Sequence, residues 1–215
     1  MKRIALSLLL ASLCGVAQAG SLVATISVPA ITFSGYDGQP LGVTGAQNHG
    51  NWGWLSTTSA GTFYATYLGQ ESGYVNSFSF GSGNGTLLES NALGTTISQS
   101  VGNDGIVNFS FSDNQSASHV FSNRDQGNPF GFVIMAGQSS TYSQFGRFDY
   151  LLGFNDSWVQ GFSGNTVGDA DYDDFVVGVN FVSAPVPEPE TYAMMFAGLG
   201  LLGLSVRRRK SHTFD

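Results

Sequence analysis

The residues best suited to chemistry form an acidic stretch, GDADYDDF, at residues 168–175. Four carboxylates lie within six consecutive positions there: Asp169, Asp171, Asp173 and Asp174. Carboxylates this close repel one another unless solvent or a cation offsets their charge. A calcium ion takes about six to eight oxygen ligands and suits such a cluster. The stretch therefore predicts a calcium site.

Asn155 and Asp156 follow an earlier apolar run and supply further oxygen ligands. If the fold brings the two turns together, these residues complete the calcium shell, and calcium then stiffens the domain. A solvated acidic turn is the alternative, because clusters of like charge usually lie in water. At the level of sequence both interpretations stay open.

Two tryptophans in the stretch HGNWGW, Trp52 and Trp54, indicate a different chemistry. Indole rings can stack on sugars, so the pair predicts a glycan-binding surface. As aromatic residues of a core or a sheet edge they would need no ligand. This second interpretation stays open too.

Catalytic motifs are missing from the sequence. It contains no GxSxG elbow, no HExxH and no Walker loop, and His49 and His119 are the only histidines between residues 20 and 184. Residues 198–203, GLGLLG, match a dinucleotide fingerprint, but a proline-rich stretch precedes them where a strand is required. We therefore expect a non-catalytic protein that binds no nucleotide. The alternative is a secreted carbohydrate-binding module or carbohydrate-active enzyme, since the two carboxylates of a glycosidase can lie far apart in sequence.

The N-terminal residues, MKRIALSLLLASLCGVAQAG, have the three parts of a secretory signal peptide. Two cations precede an apolar run, which ends in the small residues of an A-x-A cleavage site. We expect signal peptidase to remove residues 1–19. The one cysteine, Cys14, would leave with them, so the mature chain would contain neither a disulfide nor a thiolate.

The C-terminal residues also fall into three parts. Residues 185–190 form a proline-rich linker, because each proline ring fixes φ and disfavours a helix before it. Residues 192–206 carry no charge, and we predict a short transmembrane helix over residues 191–206. Residues 207–215 would form a basic cytoplasmic tail. Four cations would stop the helix at the membrane: Arg207, Arg208, Arg209 and Lys210.

This tail resembles the PEP-CTERM sorting signal of Gram-negative bacteria, which also goes by the label "ice-binding protein C-terminal". Pro187, Glu188 and Pro189 match the sorting motif, and the apolar and basic segments follow it in the expected order. The resemblance implies secretion, transient retention in the inner membrane and cleavage near the motif by an exosortase. It also implies release to the cell surface or the extracellular matrix, often in organisms that make exopolysaccharide.

Residues 20–184 have the pattern of a β domain, because short apolar runs alternate with clusters of Gly, Asn, Asp and Ser. Phe78 and Phe80 alternate with serines, as do Phe109 and Phe111, which places the rings on a buried face. We predict an all-β fold, a single β-sandwich with jelly-roll-like topology. The expected strands are Leu22–Phe33, Thr62–Leu68, Tyr74–Phe80, Gly105–Phe111, His119–Ser122, Phe130–Ala136, Phe145–Phe154 and Phe175–Val182.

The charge of this middle region limits its partners. Residues 20–184 contain twelve acidic and two basic residues, a formal charge of −10, which repels nucleic acid. Residues 64–69, 73–76 and the acidic stretch resemble DUF4114-like β-domains of secreted bacterial proteins, a resemblance that implies a fold and no activity. We expect a secreted, non-catalytic cell-surface or extracellular-matrix protein, stabilised by calcium and associated with exopolysaccharide and biofilm.

Overall fold

The chain divides into two compact units. One unit is Gly20–Ala184, and the other joins Met1–Ala19 with Pro185–Asp215. A computed structural model describes residues 19–32, 49–83, 85–103, 105–115, 119–123, 131–137, 145–156, 172–185 and 189–210. Of the predicted signal peptide, only Ala19 lies among these residues.

We call Gly20–Ala184 the β unit, because its described regular elements are β-strands and one short 3-10 helix (Gly81–Gly83). The strands are β1 (Leu22–Thr32), β2 (His49–Thr57), β3 (Gly61–Gly69), β4 (Ser77–Phe80), β5 (Thr86–Leu88), β6 (Thr96–Val101), β7 (Phe109–Ser112), β8 (Val120–Ser122), β9 (Phe132–Ala136), β10 (Tyr150–Phe154) and β11 (Phe175–Ser183).

These strands form two open sheets whose neighbouring strands are antiparallel. Seven strands follow the order β1-β2-β9-β10-β11-β3-β6, and four follow the order β5-β4-β7-β8. The all-β prediction is confirmed. The jelly-roll topology stays a prediction.

The four-stranded sheet confirms the predicted alternation of rings and hydroxyls. Phe78 and Phe80 of β4, and Phe109 and Phe111 of β7, are buried, whereas the serines between them are half-buried. Because side chains of a strand alternate between its faces, every ring of these strands points to the same side of the sheet.

Phenylalanine rings join the two sheets in one core. The ring of Phe111 stacks on that of Phe154 from β10, with centroids 5.2 Å apart and planes within 7°. Phe109 meets Phe132 of β9 edge to face at 5.5 Å, and Phe63 of β3 meets Phe80 in the same way at 5.7 Å. Such pairs add about 0.5–1.5 kcal/mol each beyond the burial of their area. The two sheets therefore pack face to face through aromatic side chains.

The seven-stranded sheet buries side chains on its other face as well. Residues next to the core positions in β3, β9, β10 and β11 point the opposite way and form a second apolar cluster. Its members are Leu68, Val133, Met135, Phe148, Leu151, Tyr172 and Val176. Burial on both faces explains why β9 and β11 are continuous apolar runs in the sequence.

The second unit contains one described helix, α1 (Pro189–Lys210). It begins at a proline, which is favourable in the first turn because the missing N–H would have no partner there. No helix in the described part of the chain is long and apolar enough to cross a membrane. The prediction of a transmembrane helix over residues 191–206 is therefore corrected: the uncharged run is fifteen residues long and includes three glycines, whereas a span needs about 20 predominantly apolar residues.

Candidate functional site

One end of the aromatic core is polar. In β7 and β5 the inward-facing Phe111 and Leu87 are followed, two positions further on, by Asp113 and Glu89. Because β4 runs antiparallel to both strands, its inward-facing Phe78 is instead preceded, two positions earlier, by Asn76. Ser77 pairs with Leu88 on β5 and with Ser112 on β7. The residues next to these three, Asn76, Glu89 and Asp113, are therefore neighbours at one end of the four-stranded sheet.

The seven-stranded sheet contributes its own polar residues at this end. Phe154 pairs with Phe175, and the next inward positions on β10 and β11 are Asp156 and Asp173. Phe111 stacks on Phe154, which aligns the ends of the two sheets. We call this group the polar end of the core, and its residues are Asn76, Glu89, Asp113, Asp156 and Asp173.

Three described aspartates of this region are buried. The exposed fraction is 7% for Asp156, 1% for Asp173 and 4% for Asp174. The backbone N–H of Asp156 donates to Oδ2 of Asp174 at 2.8 Å. Asn155 is buried too, and its N–H donates to the carbonyl of Gly131 at 3.0 Å. Asp169 and Asp171 lie outside the described residues.

Asn76 connects the two sheets at this end, a role that the sequence analysis missed. Its Nδ2 donates to Oδ2 of Asp156 at 2.7 Å and to the carbonyl of Asp174 at 3.2 Å. Its backbone N–H donates to Oε1 of Glu89 at 2.6 Å. Asn76 is fully buried, and its Oδ1 has no hydrogen-bond partner among the described residues.

The connection between β3 and β4 covers the same cluster. The hydroxyl of Ser72 donates to Oδ2 of Asp156, and the N–H of Tyr74 donates to the Ser72 hydroxyl oxygen at 2.9 Å. The N–H of Glu71 donates to the carbonyl of Asp173 at 3.1 Å. The Asp156 carboxylate thus accepts hydrogen bonds from neutral donors of one loop, Ser72 and Asn76.

Neighbouring carboxylates influence the titration of groups at this end. Burial raises the pKa of the Glu89 carboxyl, and the charge of Asp156 raises it further, while the hydrogen bond from Asn76 opposes both effects. Burial, together with the charge of Glu89, raises the pKa of Tyr67 to about 12. Burial therefore disfavours the charged form of Glu89 in the folded chain.

Two residues that follow Asp113 in the sequence bind its carboxylate. Its Oδ2 lies 2.5 Å from Nδ1 of His119, and its Oδ1 accepts from the N–H of Gln115 at 2.8 Å. These contacts occupy both oxygens of the carboxylate. Asp113 is accordingly a structural member of the polar end.

Tyr172, just before the buried aspartates, has a strained backbone. Its φ is 62°, a left-handed value that a bulky residue adopts at a cost of about 1–3 kcal/mol, and its side chain is fully buried. Burial raises the pKa of its hydroxyl. The backbone of Gly153 on β10 approaches the Tyr172 carbonyl so closely that a Cβ would not fit.

The described residues contain no group of three or more His, Cys, Asp or Glu side chains that is placed to hold a metal ion. The predicted site, formed by Asp169, Asp171, Asp173, Asp174, Asn155 and Asp156, is thus not assembled from its described members alone. A cation at this end would need amide, hydroxyl or carbonyl oxygens beside the carboxylates.

Trp52 and Trp54 lie in β2 on the same face, separated by the buried Gly53, and both side chains are half-buried. Trp52 packs against the second apolar cluster of the seven-stranded sheet. That contact agrees with a core aromatic at this position. An open pocket of about 380 Å³ lies elsewhere in the unit, lined in part by Ala136, Asp149 and Phe181.

The predicted sorting residues lie at the start and the end of α1. Pro189 is the first residue of the helix, whereas Pro187 and Glu188 lie outside the described residues. Arg207 to Lys210 form the last four positions of the helix.

Comparison with known proteins assigns this tail and leaves the β unit unmatched. No curated protein and no solved structure matches the chain. Residues 185–210 match a family described as the PEP-CTERM protein-sorting motif, as the order of proline motif, apolar segment and basic block predicts. The chain carries a PEP-CTERM protein-sorting motif at residues 185–210.

Proposed function

We propose that this protein is exported, cut near Pro187-Glu188-Pro189 by an exosortase, and then acts as a non-catalytic component of the cell surface or extracellular matrix, associated with exopolysaccharide and biofilm. The observation that carries the proposal is the PEP-CTERM match at residues 185–210. That motif implies recognition by an exosortase and sorting to the cell envelope and surface.

The boundary of the β unit supports cleavage at the motif. The last strand, β11, ends at Ser183, and the N–H of Ala184 donates to the carbonyl of Ala60 at 2.8 Å. Pro187 follows only three residues later. A cut there removes α1 without breaking a strand or a hydrogen bond of the sheets, so the released β unit keeps its fold.

The sorting step can be tested in the bacterium that makes the protein. Replacing Pro187, Glu188 and Pro189 by alanine should leave the chain uncut, whereas Ser183→Ala, which lies before the matched segment, should leave cleavage unchanged. Immunoblots of cells and medium with an antibody against the β unit report the size in each fraction. If the triple variant is processed like the wild type, the motif is not the exosortase signal.

A carbohydrate-binding role is the second candidate. It is supported by the placement of Trp52 and Trp54 on one face of β2 with half-buried rings. Purified protein should then be retained on the exopolysaccharide of the same bacterium, and Trp54→Ala should release it. Retention without product supports binding, while released sugar identifies a carbohydrate-active enzyme.

A further inference from the structure

We propose that the oxygen atoms of Asn76, Glu89 and Asp156 bind a calcium ion that ties the two sheets together at the polar end of the core. The site differs from the acidic stretch at residues 168–175, because two of its three residues belong to the four-stranded sheet. It does not rest on the sorting role proposed above.

The carboxamide of Asn76 has one oxygen that receives no hydrogen bond from the described residues. Both hydrogens of Nδ2 are used, by Oδ2 of Asp156 and by the carbonyl of Asp174. If Nδ2 and Oδ1 were exchanged, the amide oxygen would face the Asp156 carboxylate and the Asp174 carbonyl, and none of these oxygens can donate. The orientation of the amide is therefore fixed. Oδ1 therefore stays a fully buried acceptor without a donor among the described residues. Buried acceptors are nearly always satisfied, and a cation would satisfy this one.

Two carboxylates meet at Asn76. One residue, Asn76, holds two carboxylates: its backbone N–H binds Oε1 of Glu89 at 2.6 Å, and its Nδ2 binds Oδ2 of Asp156 at 2.7 Å. Because both carboxylates are bonded to the same residue, they lie close together and repel each other when charged. Neutral donors reduce this repulsion, and a divalent cation would remove it.

The ligand atoms favour calcium over other metals. Carboxylate, amide and hydroxyl oxygens are hard donors, whereas zinc prefers histidine nitrogen and cysteine sulphur. Magnesium needs a near-ideal octahedron and gives up its waters reluctantly, which a buried cluster does not accommodate. Since only two carboxylates take part, the affinity should be that of extracellular calcium modules, with a Kd of about 0.1–1 mM.

Calcium at this position would link separate parts of the fold. Asn76 precedes β4 and Glu89 follows β5 in the four-stranded sheet, while Asp156 follows β10 in the seven-stranded sheet. Ser72, whose hydroxyl binds Asp156, belongs to the connection between β3 and β4. If calcium binds the folded chain and not the unfolded chain, it raises the melting temperature by mass action.

The test measures thermal unfolding of the full-length chain, first in EDTA and then with about 10 mM CaCl2 or MgCl2, above the expected Kd. Calcium should raise the melting temperature more than magnesium does. Asp156→Asn and Glu89→Gln keep the shapes of the side chains and should each abolish the difference. Asp149→Asn is the matched control, because it removes an exposed carboxylate at the opposite end of β10 and should respond as the wild type does.

A further variant, Asn76→Asp, replaces the unsatisfied amide by a charged ligand. It should lower the melting temperature in EDTA, because a donor to Asp156 is lost, and should enlarge the calcium response. The proposal is overturned if calcium and magnesium act alike on the wild type. It is also overturned if Asp156→Asn and Glu89→Gln, which each fold, keep the full calcium response.

Discussion

Phe111 is the side chain whose loss should harm the β unit most. Its ring contacts Phe78 and Phe109 within the four-stranded sheet, and Phe132, Phe154 and Phe175 across the core. Phe111→Ala removes a fully buried ring that joins both sheets, which costs about 3–5 kcal/mol. A domain of this size loses about 2–4 °C per kcal/mol, so the melting temperature should fall by about 6–20 °C.

Circular dichroism melts and urea titrations of the full-length chain measure this loss. Ser110→Ala on the same strand is the control, since Ser110 points away from the rings and loses only the hydroxyl contact with Ser79 at 3.2 Å, which is worth about 1 kcal/mol at most. Phe111→Leu retains much of the volume and should lie between the two. A loss below about 1 kcal/mol for Phe111→Ala would refute the shared aromatic core.

Three further predictions concern the polar groups and the backbone. Glu89→Gln should raise the melting temperature in EDTA at pH 7, because the raised pKa of Glu89 penalises its charged form; the gain should shrink as acid protonates the wild type, as melts across pH measure. The side chain of Asn123 accepts from the N–H of Leu55 at 2.9 Å and donates to the Leu55 carbonyl at 2.8 Å. Asn123→Ala should therefore lower the free energy of unfolding in urea titrations by about 1–3 kcal/mol, whereas Ser98→Ala, at an exposed position, should not lower it. Gly153→Ala should destabilise the unit, because the new Cβ meets the Tyr172 carbonyl; unfolding within about 0.5 kcal/mol of the wild type would contradict that close approach.

The sequence predicts strands well where apolar residues alternate or run together. Residues 62–68, 109–111, 132–136 and 175–182, each within a predicted run, lie in strands of the structure. Three strands, β2, β5 and β6, escaped prediction. β5 is only three residues long, and in β2 and β6 polar residues or glycines hide the pattern. In β2 glycines alternate with tryptophans, and in β6 the inward position between Ile97 and Val101 is Gln99, whose Nε2 donates to the carbonyl of Asn108.

The candidate site could be predicted only in part. Asp156 and the acidic stretch were singled out by composition, and the structure joins Asp156 to Asp174. Asn76 and Glu89 come to the site through the register of β4 and β5, which a single sequence does not contain. One signal was present: each lies two positions from an inward apolar residue, Phe78 or Leu87, where an alternating strand would place another buried side chain.

The prediction of a transmembrane helix over residues 191–206 was wrong because the apolar run is too short. The PEP-CTERM resemblance and the basic block pointed to a spanning helix, yet the apolar run is short and rich in glycine. The sorting motif itself is independent of that prediction, since it rests on the match at residues 185–210.

The intact mass of the mature protein, recovered from the cells and the medium of the bacterium that makes it, tests the central claim most directly. Exosortase sorting predicts a chain that starts at Gly20 and ends near Pro187 to Pro189, without residues 192–215. A mature mass that still includes α1 would contradict the proposed cleavage and release.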